Sequence, residues 1–315
     1  MSKKETVIIA YKGFDKDMKC RGFQYEVGKS YEMDGDIKCC ERGFHACTNP
    51  LDVLNHYDDI DGKYAIVEQS GSICKCEDGD SKTASSKIHI KAEIGFTGLF
   101  KAGIEWLKEI TQSTEHNDNG GDSAQIGSSG DSAQIGSSGD SAQIGSSGDS
   151  AKIGSSGDSA KIGSSGDSAK IGSSGYSAKI GSSGDSAKIG SSGDYAQIGS
   201  SGYSAKIGSS GYSAKIGSSG YSAQIGSSGN YAQIGSSGNY AKINSTGEDS
   251  VICCSGNNSR VKAKVGSWIT LSEWVYSDEK QRHIPKCVKT EYVDGEKIKA
   301  DTWYILQDGE FKEVE

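Results

Sequence analysis

Hydrophobic and polar residues follow a nine-residue pattern along the middle of the chain. From Gly121 to Thr246, fourteen units repeat Gly-Asp-Ser-Ala-(Lys/Gln)-Ile-Gly-Ser-Ser with few changes. Ala always occupies position 4 and Ile position 6, with Lys or Gln between them. Because alternate side chains of a strand share one face, each unit predicts a short strand that buries Ala and Ile.

A single nine-residue unit is too short to enclose a core, so the units must stack. Two units predict a flattened coil of about 18 residues with two sheets, and a triangular coil of three units is the alternative. Coils stacked about 4.8 Å apart give seven coils and a rod of about 34 Å. Two looser units, Gly247–Ser255 and Gly256–Lys264, continue the tract. The fixed position of Ile argues against a flexible Gly/Ser linker.

The segments on either side of the repeat carry other patterns. The N-terminal segment predicts a strand at Glu5–Tyr11, a helix start at Asn49-Pro50, strands at Tyr64–Gln69 and Lys87–Ile94, and an amphipathic helix at Leu99–Thr111. The C-terminal segment predicts a strand at Ser267–Leu271, hairpin turns at Asp294-Gly295 and Asp308-Gly309, and a core containing Trp268, Trp274 and Trp303.

These patterns together predict a mainly β protein built around a β-solenoid of nine-residue repeats, with two units in each coil. We expect an α+β head and N-terminal cap in residues 1–120, the solenoid in residues 121–264, and a small all-β C-terminal cap in residues 265–315.

The repeat is electrically balanced, although the chain has a net charge of −8. Its regular units contain eight Asp and eight Lys residues, so the excess negative charge lies in the flanks. This balance argues against a DNA mimic and against nucleic-acid binding through the repeats. Calcium binding is also disfavoured, because Tyr or Asn often replaces the Asp at position 2. We expect that Asp to bond local backbone instead.

The remaining composition predicts a cytoplasmic protein. The N-terminus does not read as an export signal, and no apolar run is long enough to cross a membrane. Nine cysteines, an odd number, suggest reduced thiols. We expect no cofactor and no contact with a membrane.

Tyrosines gather in the second half of the repeat and form the candidate binding surface. They occupy positions 2 and 3 of their units, at Tyr195, Tyr203, Tyr212, Tyr221, Tyr231 and Tyr240. In a two-unit coil, Tyr203 should lie over Tyr221. Such a strip could bind a protein or support self-association. The favoured interpretation is nonetheless that tyrosine is simply a suitable strand residue on a solvated surface.

The head contains two weak candidates for chemistry. A zinc site could draw on Cys39, Cys40, His45, Cys47, Cys74 and Cys76, but their spacing does not match paired C-x-x-C motifs, and free thiols are the favoured interpretation. Arg21, His45 and His56 could form a catalytic or anion-binding site. No phosphate loop, dinucleotide motif or nucleophile elbow supports this, so polar residues of a small core are favoured.

Four short motifs mark the N-terminal segment: Tyr11-Lys12-Gly13-Phe14, Cys20-Arg21-Gly22-Phe23-Gln24-Tyr25, Gly43-Phe44-His45-Ala46-Cys47 and Asn49-Pro50-Leu51-Asp52-Val53. They resemble an uncharacterised domain family that is common in bacteriophage and prophage genomes. The segment Lys299–Tyr304 resembles a sequence often found at the end of such proteins. Members of the family often carry a repeat tract between these two parts. The resemblance implies a phage or prophage origin and implies no activity.

Three functions follow as hypotheses. The favoured one is a structural or interaction protein that binds a host or viral protein and could inhibit a bacterial defence protein; a homo-oligomer is also compatible with it. The second is an enzyme or binding protein for a nucleotide-type ligand, with the site in the head and the solenoid as a spacer. The third is ice binding, which the Ser, Lys and Gln residues support poorly because Thr ladders are missing.

Overall fold

The computed structural model describes residues 6–76, 80–112 and 121–315. The fold is mainly β, with an N-terminal head, a β-solenoid of about eight turns and a C-terminal β cap, as the sequence predicts. The chain divides into two compact units, one ending at Trp106 and the other beginning at Leu107. Within the described residues, no helix has the length and apolar character needed to cross a membrane.

In its described residues, the head combines seven strands with two helices. They are β1 (Ile8–Phe14), β2 (Lys19–Cys20), β3 (Phe23–Gln24), β4 (Ser30–Glu32), β5 (Phe44–Cys47), a 3₁₀-helix (Pro50–Asn55), β6 (Lys63–Lys75), β7 (Lys82–Glu93) and α1 (Gly95–Gln112). The main sheet has the order β4-β7-β5-β1-β6, and β6 also pairs with β7. This extra pairing closes β7, β5, β1 and β6 into a ring.

The bounds of the head elements differ from the predicted ones. The first strand begins at Ile8, later than predicted, and Glu5 lies outside the described residues. Strands β6 and β7 and helix α1 are longer than predicted, because their added segments contain glycine, serine or lysine residues that interrupt the hydrophobic pattern.

The predicted helix start at Asn49-Pro50 is confirmed, although the helix is 3₁₀ rather than α. The Asn49 side chain caps it by accepting a hydrogen bond from the Leu51 amide at 3.0 Å. Helix α1 packs against this segment at Gly103. A Cβ atom on Gly103 would lie 2.6 Å from Cγ of Leu51, so only glycine allows this close approach.

The described part of the solenoid contains sixteen short strands, two for each turn. They are β8 (Gln125–Ser128), β9 (Gln134–Ser137), β10 (Gln143–Ser146), β11 (Lys152–Ser155), β12 (Lys161–Ser164), β13 (Lys170–Ser173), β14 (Lys179–Ser182), β15 (Lys188–Ser191), β16 (Gln197–Ser200), β17 (Lys206–Ser209), β18 (Lys215–Ser218), β19 (Gln224–Ser227), β20 (Gln233–Ser236), β21 (Lys242–Ser245), β22 (Val251–Cys254) and β23 (Arg260–Lys262).

Strands that are two units apart in sequence pair in parallel and in register. Ile144 of β10 lies beside Ile126 of β8 and Ile162 of β12, for example. The even-numbered strands form one sheet, here called the first solenoid sheet, and the odd-numbered strands form the second. The coil of two units is therefore confirmed, and the triangular coil is wrong.

The core of the solenoid is built from the predicted Ala and Ile columns. Both residues are fully or almost fully buried from Ala142 onward, and the Ile side chains form one continuous cluster. The serine at position 8, the last residue of most strands, also points inward, which the sequence interpretation did not foresee. The outward lysines follow the prediction except Lys188, which is buried.

The cap continues both solenoid sheets with the strands β24 (Trp268–Ser277), β25 (Arg282–Tyr292), β26 (Trp303–Gln307) and β27 (Glu310–Val314). The Asp308-Gly309 hairpin is confirmed, because it joins β26 to β27 and both residues have positive φ. The hairpin predicted at Asp294-Gly295 is wrong, because this turn leads from β25 to β26, which do not pair.

The tryptophan prediction for the cap holds in part. Trp303 is buried and Trp274 is half-buried, where its Nε1–H group donates a hydrogen bond to the carbonyl of Ser255 at 3.0 Å. Trp268 is 49% exposed, so it does not belong to the core. It lies at the start of β24, where the strand alternation turns it outward, and its ring packs against Tyr292.

Candidate functional site

Seven tyrosines form two aromatic columns on the turns between the solenoid sheets. The first tyrosine ladder contains Tyr176, Tyr195, Tyr212 and Tyr231, with successive ring centroids 5.1, 6.3 and 5.0 Å apart. The second tyrosine ladder contains Tyr203, Tyr221 and Tyr240, with spacings of 4.9 and 5.0 Å. The predicted placement of Tyr203 over Tyr221 is confirmed, and the structure adds Tyr176 to the surface.

The two ladders lie on opposite edges because consecutive units occupy alternate edges of the coil. The first ladder lies on turns that lead from the second solenoid sheet to the first, and the second ladder lies on the reverse turns. All seven rings are between 38% and 55% exposed. The pKa values of Tyr176, Tyr212 and Tyr221 are raised, first by desolvation and then by neighbouring tyrosines, so these hydroxyls stay neutral near pH 7.

Aspartates occupy the equivalent turns in the first half of the solenoid. On the edge of the second tyrosine ladder, the backbone N–H groups of Asp167 and Asp185 each donate to the carboxylate of the aspartate one coil earlier, at 3.0 Å. Tyr203 continues the series by donating its N–H to Asp185 at 3.4 Å. Aspartate was expected to bond local backbone, but here it bonds the next coil. Position 2 accepts Asp or Tyr in both forms of this turn, because the following serine has positive φ after Asp149 and Tyr221 but not after Asp185 and Tyr203.

A pocket of about 720 Å³ lies in the head, beside strands β1, β2, β3 and β5. Residues from four motifs that are distant in sequence line it, including Lys12, Cys20, Arg21, His45 and Tyr57. Its volume lies within the range typical of sites for small molecules. The sequence placed Arg21, His45 and His56 in one candidate site, and all three line this pocket.

Lys12 is the central residue of the pocket and is only 4% exposed. Its Nζ donates a hydrogen bond to the carbonyl of His45 at 2.9 Å and contacts Sγ of Cys20 at 3.5 Å. The Tyr57 hydroxyl lies 2.7 Å from the same sulphur. Burial lowers the pKa of Lys12, the nearby Arg21 charge lowers it further, and Cys20 opposes the change. Among the described residues, no carboxylate pairs with this amine.

Arg21 occupies a turn that suits it poorly. It follows β2, and Arg21 and Gly22 form the two-residue turn before β3, with φ values of 50° and 79°. Two positive φ values are typical of type I′ hairpins, which favour Asn-Gly. Arginine, unlike Asn or Gly, is not favoured at positive φ. Its presence here therefore indicates backbone strain, which is often found at functional sites.

An aromatic wall borders the same pocket. Phe23, Tyr25 and Tyr31 pack edge to face with ring centroids 4.9 to 5.4 Å apart. Tyr25 is buried, whereas Phe23 is 48% exposed. The wall therefore offers an open aromatic surface next to Arg21 and Lys12.

His45 is held in place by backbone groups. Its Nε2 accepts a hydrogen bond from the Cys40 amide at 2.9 Å, so the lone pair that a general base would use is occupied. Its pKa is lowered, first by burial and then by the charges of Lys12, Arg21 and Lys82. His56 pairs through Nε2 with the carboxylate of Asp80 at 2.6 Å.

The cysteines predicted as weak zinc ligands separate into different groups. Cys39 and Cys76 form a disulfide, so the expectation of reduced thiols is wrong for this pair, and the Cys40 sulphur lies within 4.8 Å of both. Cys47 instead neighbours His56 and Asp80 within the same limit, and burial raises its pKa to about 12. Cys74 joins neither group. His45 likewise belongs to neither group, so the six predicted ligands do not form one site.

Comparison with known proteins finds a similarity to an uncharacterised domain family in the head. Residues 8–102 match the family model described as "Domain of unknown function (DUF7666)". The matched segment contains every residue that lines the pocket, so the pocket lies within the region that is similar to an uncharacterised domain family. No curated protein and no solved structure matches the chain.

Proposed function

We propose that the chain is an interaction protein that binds another protein through its tyrosine ladders. The observation that carries this proposal is the seven exposed rings in two continuous columns. Tyrosine is enriched at protein interfaces because its ring offers apolar contact area and its hydroxyl offers a hydrogen bond. The first half of the same edges carries aspartate, so the aromatic surface is confined to one part of the solenoid.

The finer parts of this proposal concern origin and partner. We take the protein to be of phage or prophage origin and to act in the cytoplasm of the bacterial host. The head motifs and the repeat tract between head and cap support that origin. The partner would then be a host protein, such as a component of a bacterial defence system, and the interaction would inhibit it.

The test replaces tyrosine with the residue that the other units carry. In the variant Tyr203→Asp/Tyr221→Asp, two rings of the second ladder are lost, but the turns keep their shape because Asp occupies the same position in earlier coils. The carboxylate introduced at position 203 would also accept the N–H group of residue 221, as Asp185 accepts that of Tyr203. We therefore expect unchanged circular dichroism and unfolding temperature.

Affinity purification from bacterial lysate, read by mass spectrometry, compares this variant with the wild type. We expect a partner that is recovered by the wild type and lost by the variant. The matched control, Asp131→Asn/Asp149→Asn, changes the acidic half of the same edge and should retain the partner. Equal recovery by all three proteins contradicts the proposal, as does recovery of the same chain alone, which would indicate self-association.

A further inference from the structure

We propose that the head pocket binds a nucleoside monophosphate, with the phosphate at Lys12 and Arg21 and the base against Phe23. This inference does not depend on the tyrosine ladders, because every residue that it uses lies in the head. It rests on three observations: a buried amine without a counterion among the described residues, a second cation held in a strained turn, and an open aromatic wall beside both.

An anion in the pocket would stabilise the charged form of the buried Lys12 amine. A buried ammonium group is costly unless an opposite charge or several hydrogen bonds stabilise it, and the described contacts of Lys12 are one carbonyl, one thiol and the rings of Phe14 and Tyr25. The carboxylates at the pocket's mouth have other partners: Glu32 lies 3.3 Å from Lys87, and Glu41 lies 3.7 Å from Lys38. An anionic ligand would supply the missing charge.

Arg21 brings a second cation to the pocket. Arg21 lines the same pocket as Lys12, His45 and Tyr57. Two neighbouring cations suit a group with several anionic oxygens, and a guanidinium can donate two parallel hydrogen bonds to phosphate. The strained φ of Arg21 is then the cost of placing this residue at the pocket that Lys12 also lines.

The aromatic wall suits the remainder of such a ligand. Base-to-aromatic stacking is a recurrent mode of nucleotide recognition, and Phe23 offers an exposed ring supported edge to face by Tyr25 and Tyr31. A cation that sought an aromatic cage would be repelled by Lys12 and Arg21. A cavity of about 720 Å³ accommodates a base, a sugar and one phosphate.

The test is isothermal titration calorimetry of the full chain with AMP, GMP, CMP and UMP, and with the matching nucleosides and inorganic phosphate as partial ligands. We expect at least one monophosphate to bind with a Kd below about 1 mM. Its nucleoside and inorganic phosphate should each bind at least about tenfold more weakly, a difference of about 1.4 kcal/mol. Phosphate binding as tightly as the nucleotide would overturn the role of Phe23.

Two variants separate a binding role from a structural one. Lys12→Met removes a buried charge while keeping the side-chain volume, so the unfolding temperature should not fall. Arg21→Asn gives the Asn-Gly pair that this turn favours, so this variant should have a higher unfolding temperature than the wild type. Both variants should weaken binding at least about tenfold. The control Lys63→Met removes a head lysine that pairs with Glu93 and should bind normally. No binding by any of the four nucleotides, or normal binding by Lys12→Met, would overturn the proposal.

Discussion

Two classes of glycine in the repeat have different physical roles. At position 1, a Cβ atom on Gly193 would collide with the carbonyl oxygen of Gly175 in the preceding coil, so the stacked turns leave no room for a side chain. At position 7 of the first solenoid sheet, a Cβ atom on Gly181 would meet nothing within 4 Å, and its φ is not positive. Only the first class is required by the fold.

The first prediction therefore contrasts Gly193→Ala with Gly181→Ala. We expect Gly193→Ala to lower the free energy of unfolding by about 1 to 3 kcal/mol, because the two coils must move apart. Gly181→Ala should change it by less than about 1 kcal/mol, and in the stabilising direction, because alanine restricts the unfolded chain. Urea unfolding followed by circular dichroism checks both. Equal losses in the two variants would show that the coils do not stack as described.

Individual residues also show which contacts could be predicted from the sequence and which could not. The Ala and Ile columns were predictable because a strand's alternation is local and is repeated fourteen times. The contact of Lys12 with Cys20, and of Cys20 with Tyr57, was not predictable, because the three residues lie in separate segments that only the tertiary fold brings together. The positive φ of Arg21 could have been suspected from Arg-Gly between two short strands, where Asn-Gly is usual.

Among the elements, the C-terminal cap contains two turns in which a carboxylate accepts hydrogen bonds from backbone amides. Glu273 of β24 accepts hydrogen bonds from Lys286 at 2.7 Å and from the Gly309 amide at 2.8 Å, and its pKa is lowered chiefly by Lys286 and next by Gly309. Asp294 accepts from the amides of Ile298 and Glu296, which lower its pKa in that order. The cap was predicted as β from its strand patterns, but the contact of Glu273 with Gly309 was not predictable, because the two residues are 36 positions apart in sequence.

The second prediction follows from these lowered pKa values. A carboxyl with a lowered pKa contributes stability above its ordinary value, 4.5 for Glu273 and 3.8 for Asp294, and that contribution is lost as the pH falls through the folded-state pKa. The amide signals of Gly309 and Ile298 in NMR should therefore titrate with midpoints below 4.5 and 3.8 respectively. In Asp294→Asn, the Ile298 signal should lose its titration while that of Gly309 keeps it. Midpoints at the ordinary values would contradict the described contacts.

For the molecule as a whole, the repeat separates structure from recognition. Ala, Ile and the position-1 glycine determine the coil, whereas positions 2 and 3 lie on exposed turns and accept Asp, Asn, Ser or Tyr. A solenoid of this kind derives its stability from each coil and its neighbours, so coils can be added or lost without changing the others. The stacking of Tyr203 over Tyr221 was predictable from a two-unit coil, whereas the choice of that coil over a triangular one was settled by the observed pairing of strands two units apart.

The last prediction tests this independence with two deletion variants, each of which lacks one coil at a different place. Deletion of Gly139–Ser156 removes β10 and β11 and no tyrosine, and deletion of Gly211–Ser228 removes β18 and β19 together with one tyrosine from each ladder. Both proteins lose one coil of the same length, so both should fold and show the same small decrease in the urea m-value, which scales with the surface exposed on unfolding. Only the second should lose affinity for the partner of the ladders. If both deletions weaken binding equally, rod length rather than the tyrosine surface determines the interaction; if either protein fails to fold, the coils are not independent units.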